Sequence, residues 1–263
     1  MPKNGRATDE RFAFDNVPDV YDRIRPTYPD ALFDELFSHL QSPVRALEIG
    51  AGTGKATGSL LPRGAHVTAV EPGANMAAFL RQKHGGDDRL EVLNATFEDA
   101  AVEPGYDLVI AATSFHWVDR EVRLQKSHHI LRAGGALAVI STNQIASNAD
   151  RGFFEAAQPI YRHHFPGEAP PPPTPGEDVV PDEFADIDAS GLFGRARLHR
   201  YRWDQTYTTA GWADLVRSFS GTQMMTEQDR EALITELSEL IDRDFGGSIT
   251  RPLVITLTLA FRA

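Results

Sequence analysis

Residues 44–54 read Val44-Arg45-Ala46-Leu47-Glu48-Ile49-Gly50-Ala51-Gly52-Thr53-Gly54, a short apolar run that ends in a glycine-rich turn. A helix-length gap separates it from a second apolar run, His66-Val67-Thr68-Ala69-Val70, which ends in Glu71-Pro72. A strand that ends in a glycine turn and a second strand that ends in a lone acid are typical of the sheet edge that binds a nucleoside in α/β proteins. The two runs therefore predict a nucleoside site at the carboxyl ends of parallel strands.

The glycine turn does not match either common phosphate-binding motif. A dinucleotide fingerprint needs Gly-x-Gly-x-x-Gly, but Lys55 stands where the third Gly belongs. A P-loop needs Gly at the position of Ile49 and Ser or Thr at the position of Ala56. Glu48 would also repel a pyrophosphate resting on the following helix N-terminus. The same carboxylate suits a cofactor with a cationic end and no phosphate, such as S-adenosylmethionine, whose ribose hydroxyls Glu71 would bind.

At this point the chain resembles the class I S-adenosylmethionine-dependent methyltransferases, and more narrowly their small-molecule branch that includes trans-aconitate methyltransferase. Five blocks between about residues 44 and 141 carry the resemblance in order and spacing. They are Leu47-Glu48-Ile49-Gly50-Ala51-Gly52-Thr53-Gly54, Val70-Glu71-Pro72-Gly73-Ala74-Asn75-Met76, Ala95-Thr96-Phe97-Glu98-Asp99, Phe115-His116-Trp117 and Leu131-Arg132-Ala133-Gly134-Gly135. Upstream, Tyr21-Asp22-Arg23-Ile24-Arg25-Pro26-Thr27-Tyr28-Pro29 looks like the entry segment of that branch.

The resemblance implies a cofactor site for S-adenosyl-L-methionine. Backbone at the glycine turn would approach the methionine and ribose portions, Glu71 would hold the ribose, and Phe97 and Glu98 would flank the adenine. The residues after the fourth strand would pass close to the methionyl group. The full set of predicted cofactor residues is Glu48, Gly50, Ala51, Gly52, Glu71, Pro72, Met76, Thr96, Phe97, Glu98, Ala112, Thr113 and Ser114.

The acceptor side is less defined by sequence. If the acceptor is a hydroxyl, His116 is the candidate general base, whereas a carboxylate arrives deprotonated and needs only orientation. Arg25 offers a fork for a carboxylate, and Tyr21, Tyr28 and Trp117 are further candidate substrate residues. Two structural interpretations stay open: His116 and Trp117 would only cap a helix and fill space, and Arg25 would only pair with one of the many acids.

Composition limits the partners. With 263 residues and no Cys, the chain is long enough for one α/β domain with a cap, and a disulfide scaffold or Cys-ligated zinc is excluded. The net charge of −11 disfavours nucleic acid, which clustered Lys and Arg bind. Without a signal-peptide pattern or an apolar stretch long enough to span a bilayer, we expect no membrane association and a cytoplasmic location. A monomer and a homodimer both remain open.

Apolar periodicity alternates between strands and helices. We expect strands at 44–49, 66–70, 90–94, 106–112 and 136–141, and helices from Asp30, from about residue 54, and over 73–83 and 119–131. Later elements are a strand over 196–207, a helix over 210–219, a helix capped by Thr226 and a strand over 253–261. The expected fold is α/β, a seven-stranded, mostly parallel, doubly wound Rossmann-like methyltransferase sheet with a lid inserted after the fifth strand.

The expected domain organisation has four parts. They are a cap segment over 1–28 with a mobile lead-in at 1–14, a cofactor-binding core over 29–141, a lid over 142–195 and the rest of the sheet over 196–263. Pro170-Pro171-Pro172-Pro173 in the lid favours a stiff polyproline II segment.

We expect no metal site. His128-His129 and His163-His164 are adjacent pairs, and neighbouring side chains on a helix point in different directions. Two other functions stay open: a non-catalytic protein that binds S-adenosylmethionine as a sensor, and, less favoured by the charge, methylation of a protein or tRNA.

Overall fold

The computed structural model describes Asp15 and residues 18–165 and 174–263. Its strands are β1 (Arg45–Ile49), β2 (His66–Val70), β3 (Leu90–Leu93), β4 (Tyr106–Ala112), β5 (Leu131–Ala146), β6 (Thr174–Pro175), β7 (Arg197–Thr208) and β8 (Ser248–Phe261). Its α-helices are α1 (Pro18–Ile24), α2 (Asp30–Ser38), α3 (Thr57–Leu60), α4 (Ala74–His84), α5 (Arg120–Ile130), α6 (Phe153–Ala156), α7 (Gln158–His164), α8 (Asp182–Ser190), α9 (Thr209–Arg217), α10 (Ser220–Gln223) and α11 (Glu227–Phe245).

Seven strands form one mixed sheet in the order β3-β2-β1-β4-β5-β8-β7, and the two-residue β6 pairs with β5 outside this path. The pairs among β1 to β5 are parallel, whereas β8 is antiparallel to both β5 and β7. The apolar runs that precede the glycine turn and Glu71 become β1 and β2, each buried along four of its five residues. The predicted doubly wound α/β fold is confirmed.

The core has three main clusters of buried side chains. One contains Leu32 and Leu36 of α2 together with Leu60, and a second contains Phe115 and Ile130, so the central strands contribute to clusters on both sides of the sheet. The third, here called the helical cluster, joins α6, α7, α9 and α11; its buried members are Phe153, Phe154, Ala157, Tyr161, Tyr207, Trp212, Leu215, Val216, Leu233, Ile234, Leu237, Leu240, Ile241, Phe245 and Ile249.

Several boundaries differ from the sequence prediction, among them the start of the helix after the glycine turn, both ends of β5 and the start of β8. The helix expected from residue 54 begins only at Thr57, because the glycine turn continues to Gly54 at a φ of 81°. It passes into a 3₁₀ turn at Leu61–Arg63 and ends at Gly64, which has a φ of 83°. Strand β5 continues past Ser141 to Ala146, because the long partner β8 pairs with it as far as Gln144 and Leu253.

The segment expected to form a lid packs as two separate parts. Helices α6 and α7 place Phe153 and Tyr161 in the helical cluster, whereas α8 places Ile187 in the cluster with Phe115. The predictions of a mobile lead-in at 1–14 and of polyproline II structure at 170–173 lie outside the described residues. Within the described ranges, no helix is both long and apolar enough to cross a membrane.

Candidate active site

A cavity of about 290 Å³ opens at the carboxyl ends of β1, β2 and β4. Eleven of the thirteen predicted cofactor residues line it: Gly50, Gly52, Glu71, Pro72, Met76, Thr96, Phe97, Glu98, Ala112, Thr113 and Ser114. Four of the five predicted substrate residues also line it: Tyr21, Arg25, His116 and Trp117. Sequence reasoning did not assign the other lining residues, which are Asp15, Ile49, Gly73, Val118 and Phe219.

The glycine turn leaves room for a ligand. Gly50 and Gly52 have φ values of 62° and 56°, in the left-handed region that favours glycine. A Cβ on Gly50 would lie 2.7 Å from Cβ of Ser114, so Gly50 lets the turn pack against the end of β4. A Cβ on Gly52 would meet no protein atom within 4 Å. The open side of the turn at Gly52 therefore faces space that a bound molecule can fill.

Glu71 presents a buried carboxylate beside that space. Its side chain is 6% exposed, its Oε2 accepts the Gly52 N–H at 2.7 Å, and its Oε1 accepts the Gly73 N–H at 2.8 Å. Burial raises the pKa of Glu71, while the two backbone hydrogen bonds oppose the shift. Each carboxylate oxygen has a second lone pair, so Glu71 can still accept from two adjacent hydroxyls. The open space at Gly52 and this acceptor pair fit the ribose of an adenosine-containing cofactor.

Glu48 and Ala51, the other two predicted cofactor-binding residues, are not among the residues that line the cavity. The Glu48 side chain is 1% exposed, and its Oε2 accepts from Thr57 Oγ1 at 2.6 Å, at the start of α3. Burial raises the pKa of Glu48 to about 7. At neutral pH the Glu48 carboxyl is therefore only partly ionised.

The opposite wall is built from the loops after β2 and β3. Asp15 Oδ1 accepts the N–H groups of Asn75 and Met76 at 2.8 and 2.9 Å, which places a carboxylate on the N-terminus of α4. Phe97 is buried, with Lys126 Nζ 5.2 Å from its ring centroid. Glu98 Oε1 accepts the Asp119 N–H at 2.9 Å, at the start of α5. These contacts fix three residues that line the cavity, Asp15, Phe97 and Glu98.

Thr113 is a strained residue on the cavity wall. Its φ of 58° is uncommon for a β-branched residue. Its N–H donates to Ile140 O at 2.7 Å, and its hydroxyl lies 3.2 Å from Tyr28 Oη. Burial raises the pKa of Tyr28, whose hydroxyl therefore stays neutral. Tyr28 is not among the residues that line the cavity, and its hydroxyl contacts Thr113, which does line it.

His116 and Trp117 lie in a 3₁₀ turn, Phe115–Trp117, that follows β4. Their ring centroids are 4.8 Å apart and both side chains reach the cavity. Burial lowers the pKa of His116, with the Glu183 charge acting against the shift and the Arg123 charge adding to it. The imidazole is therefore neutral at pH 7 and has a nitrogen able to accept a proton.

Arg25 reaches the cavity from the segment after α1 and is tied to the end of α9. Its Nε donates to Ser218 Oγ at 3.0 Å and a terminal nitrogen donates to Ser218 O at 2.7 Å. Its guanidinium lies 4.8 Å from the ring centroid of Phe219 and 5.2 Å from that of Tyr21. Burial lowers the pKa of Arg25, although an arginine remains charged at neutral pH. Contacts to a hydroxyl, a carbonyl and two rings therefore hold a charged guanidinium at the cavity wall.

His163 and His164 do not point apart, although adjacent positions on a helix predict that they should. Their rings, together with Glu236, bring one potential ligand atom each to within 4.8 Å of one another. His164 is the last residue of α7, where the helical geometry that separates neighbouring side chains ends.

Two of the five unassigned lining residues, Asp15 and Phe219, reach the cavity through long-range contacts. Asp15 lies just beyond a segment without periodicity, and nothing local indicates that its carboxylate reaches the N-terminus of α4, 60 positions away. Phe219 was predicted only as the end of a helix, and it reaches the cavity because α9 packs against α1. A sequence pattern does not carry either of these long-range contacts.

Comparison with known proteins finds similarity to methyltransferases. Residues 47–139 match a family described as a methyltransferase domain. The chain is 33% identical over 132 residues to an uncharacterized methyltransferase of Mycobacterium tuberculosis, covering 50% of this chain and 53% of the relative. It is 27% identical over 150 residues to the malonyl-[acyl-carrier protein] O-methyltransferase of Priestia megaterium, covering 55% and 52%. The chain thus spans about half the length of these curated relatives.

Solved structures share the fold. Phosphoethanolamine N-methyltransferase 2 of Haemonchus contortus, solved in complex with S-adenosyl-L-methionine, superposes with a TM-score of 0.52 at 13% identity, covering 98% of this chain and 58% of that chain. The matched sequence segment includes the carboxyl end of β1 and all of β2 and β4, whose carboxyl ends form the cavity. Residues 47–139 are therefore similar to a methyltransferase domain, and the chain shares the fold of solved methyltransferases.

Proposed function

We propose that the protein transfers a methyl group from S-adenosylmethionine to an oxygen atom of a small molecule, either a carboxylate or a hydroxyl. The observation that carries the proposal is that one cavity is lined by three carboxylates, a guanidinium and an imidazole. Asp15, Glu71 and Glu98 supply the carboxylates, Arg25 the guanidinium and His116 the imidazole.

The carboxylates and the glycine turn suit the cofactor. Glu71 would hold the ribose hydroxyls, the open turn at Gly52 would admit the methionine portion, and Phe97 would pack on the adenine. The cofactor supplies an activated methyl group on a sulfonium, which is an excellent leaving group. The task left to the protein is therefore to hold the acceptor oxygen in line with that methyl and to keep water away.

Arg25 and His116 suit an acceptor with an acidic or hydroxylic group. A carboxylate would be oriented by Arg25, whose guanidinium is already fixed by Ser218. The name of the Priestia megaterium relative, an O-methyltransferase acting on a malonyl group, and the likeness of residues 21–29 to the trans-aconitate branch both support a carboxylate. A hydroxyl acceptor would instead need His116, neutral because it is buried, to take up its proton.

Methyl-labelled S-adenosylmethionine, incubated with the protein and a metabolite extract, tests the proposal. Mild base releases a carboxyl methyl ester as volatile methanol, whereas a methyl ether keeps its label. Volatile label with a nearly fully active His116→Gln variant supports a carboxylate acceptor. Stable label with a loss of more than about 100-fold in kcat supports base catalysis on a hydroxyl. No transfer to any acceptor, with S-adenosylhomocysteine bound tightly, would contradict the proposed activity.

A further inference from the structure

Two histidines and a glutamate converge where α7 meets α11, outside the cavity described above. His163 and His164 end α7, and Glu236 lies in the middle of α11. The Nε2 atom of His164 is 3.0 Å from Glu236 Oε1, and the ring centroids of His163 and His164 are 4.9 Å apart at an interplanar angle of 89°. One nitrogen or oxygen from each of the three residues lies within 4.8 Å of the others.

The ligand atoms of His163, His164 and Glu236 lie closer together than those of another group of histidines around a glutamate. Glu35 also faces two imidazoles, with Oε1 at 3.0 Å from His39 Nε2 and 3.7 Å from His199 Nε2. Among the described residues, however, only the His163, His164 and Glu236 group brings three such ligand atoms together within 4.8 Å. The Glu35 group therefore serves as an internal comparison for the experiment below.

We propose that His163, His164 and Glu236 form a binding site for a divalent transition-metal ion of the Zn²⁺ type. Two imidazole nitrogens and one carboxylate oxygen are ligands that such ions prefer, and three protein ligands leave one position for water. Metal–ligand distances of about 2.0–2.2 Å put the ligand atoms of a tetrahedral site about 3.4 Å apart. The His164–Glu236 separation of 3.0 Å is already close to that value. His163 is exposed, so its ring can turn toward the ion without giving up buried contacts.

The ion would join two helices that already pack together. Tyr161 of α7 and Leu233 and Leu237 of α11 are buried in the helical cluster, on the same segments that carry the three ligands. A bound ion adds a cross-link at the edge of this cluster, where α7 ends. It thereby holds the segment between β5 and β7 to the last helix, independently of any ligand in the cavity.

The test uses the full chain without an affinity tag, freed of metal with EDTA and titrated calorimetrically with ZnCl₂. We expect one Zn²⁺ per chain with a Kd of about 10 μM or tighter. At a Zn²⁺ concentration of 100 Kd, Tm should rise by about 5–10 °C. Co²⁺ should give visible absorption bands of a four- or five-coordinate ion, a signature that nonspecific surface binding does not produce.

Matched variants locate the site. His163→Ala and Glu236→Gln should each weaken Zn²⁺ binding at least tenfold, and the metal-free Tm of His163→Ala should stay close to wild type because its side chain is exposed. His199→Ala, in the Glu35 group, and His129→Ala, in the other adjacent pair, should bind Zn²⁺ as wild type does. Unchanged affinity in both ligand variants, loss of binding in His199→Ala, or a wild-type Kd weaker than about 1 mM would each overturn the site. Binding of S-adenosylhomocysteine, measured on the same samples, should not change with Zn²⁺, so this test is independent of the proposed function.

Discussion

Two buried carboxylates at the ends of neighbouring strands have different surroundings. Glu71 accepts two backbone N–H groups and lines the cavity, and these hydrogen bonds oppose the rise in its pKa that burial causes. Glu48 is closed in behind the strand, where it accepts a hydrogen bond from the Thr57 hydroxyl, and its pKa rises to about 7. The two glutamates thus differ in role. Glu71 presents acceptor oxygens to a ligand, whereas Glu48 is a buried group whose charge lowers stability.

Replacing Glu71 by Gln should weaken cofactor binding. The amide offers one acceptor oxygen in place of two charged ones, and hydrogen bonds to a charged group contribute about 1.5–3 kcal/mol. We expect the Kd for S-adenosylhomocysteine to rise roughly 10- to 100-fold, measured by calorimetry. Glu91→Gln, on the exposed side of β3, is the control and should bind as wild type does. Equal affinity in the two variants would show that Glu71 does not contact the cofactor.

Glu48 should make the protein less stable as pH rises. Its folded-state pKa of about 7 lies above the ordinary value of 4.5, so the folded state binds more protons than the unfolded state between these values. The stabilisation is complete below pH 4.5 and is lost as pH rises through 7, by up to about 3 kcal/mol. In urea unfolding, the free energy of unfolding of Glu48→Gln should not fall in this way as pH rises. The variant therefore gains stability relative to wild type from pH 5 to pH 8. Parallel pH profiles for the two proteins would contradict the shifted pKa.

The turn between β1 and α3 combines close packing with open space. Gly50 is pressed against Ser114, whereas a methyl group added to Gly52 would point into the cavity and meet no protein atom within 4 Å. Both have positive φ, so the turn depends on glycine for its backbone and, at Gly52, also for room. The element therefore couples the end of a strand to the space for a ligand.

Gly52→Ala separates these two requirements when it is compared with Gly191→Ala. Gly191 ends α8 at a φ of 66°, close to the 56° of Gly52, and it too has nothing within 4 Å. Each substitution should cost about 1–2 kcal/mol of stability, because Ala is strained in the left-handed region. Only Gly52→Ala should also weaken S-adenosylhomocysteine binding, by tenfold or more in calorimetry. The same loss of affinity in Gly191→Ala would mean that destabilisation alone explains the effect.

Sequence reasoning recovered the elements whose signal is local. Strand β2 and the glycine turn follow from apolar runs and turn residues, and Thr226 caps α11 through its hydroxyl as expected. It did not find the full length of β5, because the extension past Ser141 depends on pairing with β8, which lies more than 100 positions later. Asp15 and Phe219 were missed for the same reason: their place on the cavity wall depends on tertiary packing.

Across the molecule, α1 and Arg25 connect helix α4 with the helical cluster. The Asp22 carboxylate accepts a hydrogen bond from Lys83 Nζ of α4 at 2.7 Å. Arg25 donates a hydrogen bond to Ser218, the residue that follows α9. Ile24 packs on the helical cluster between these two attachments. The segment is therefore attached both to α4 and to the helical cluster. We expect changes in it to affect binding of the acceptor more than binding of the cofactor.

Arg25→Ala should separate acceptor binding from cofactor binding. It leaves Ser218 without its donors and removes the cation at the acceptor end, so stability should fall by about 1–3 kcal/mol and the acceptor KM should rise at least tenfold. The Kd for S-adenosylhomocysteine should stay within about twofold, because Arg25 makes no contact in the proposed ribose site at Glu71 and Gly52. Arg23→Ala is the matched control: its ion pair with Asp214 is exposed, so stability should change by less than about 1 kcal/mol. An equal rise in KM for Arg23→Ala would show that Arg25 has no specific role.

The position of β8 has a consequence for the order in which the chain can fold during its synthesis. Strand β8 lies between β5 and β7, although it follows both in sequence. While the chain emerges from the ribosome, β7 has no strand to pair with, and the edge of β5 stays open until residues 248–261 appear. The parallel half of the sheet can form early, whereas its antiparallel half closes only after residues 248–261 have been synthesised. Until then, the exposed edge of β5 is the surface on which a nascent-chain chaperone would act, or at which two incomplete chains would pair.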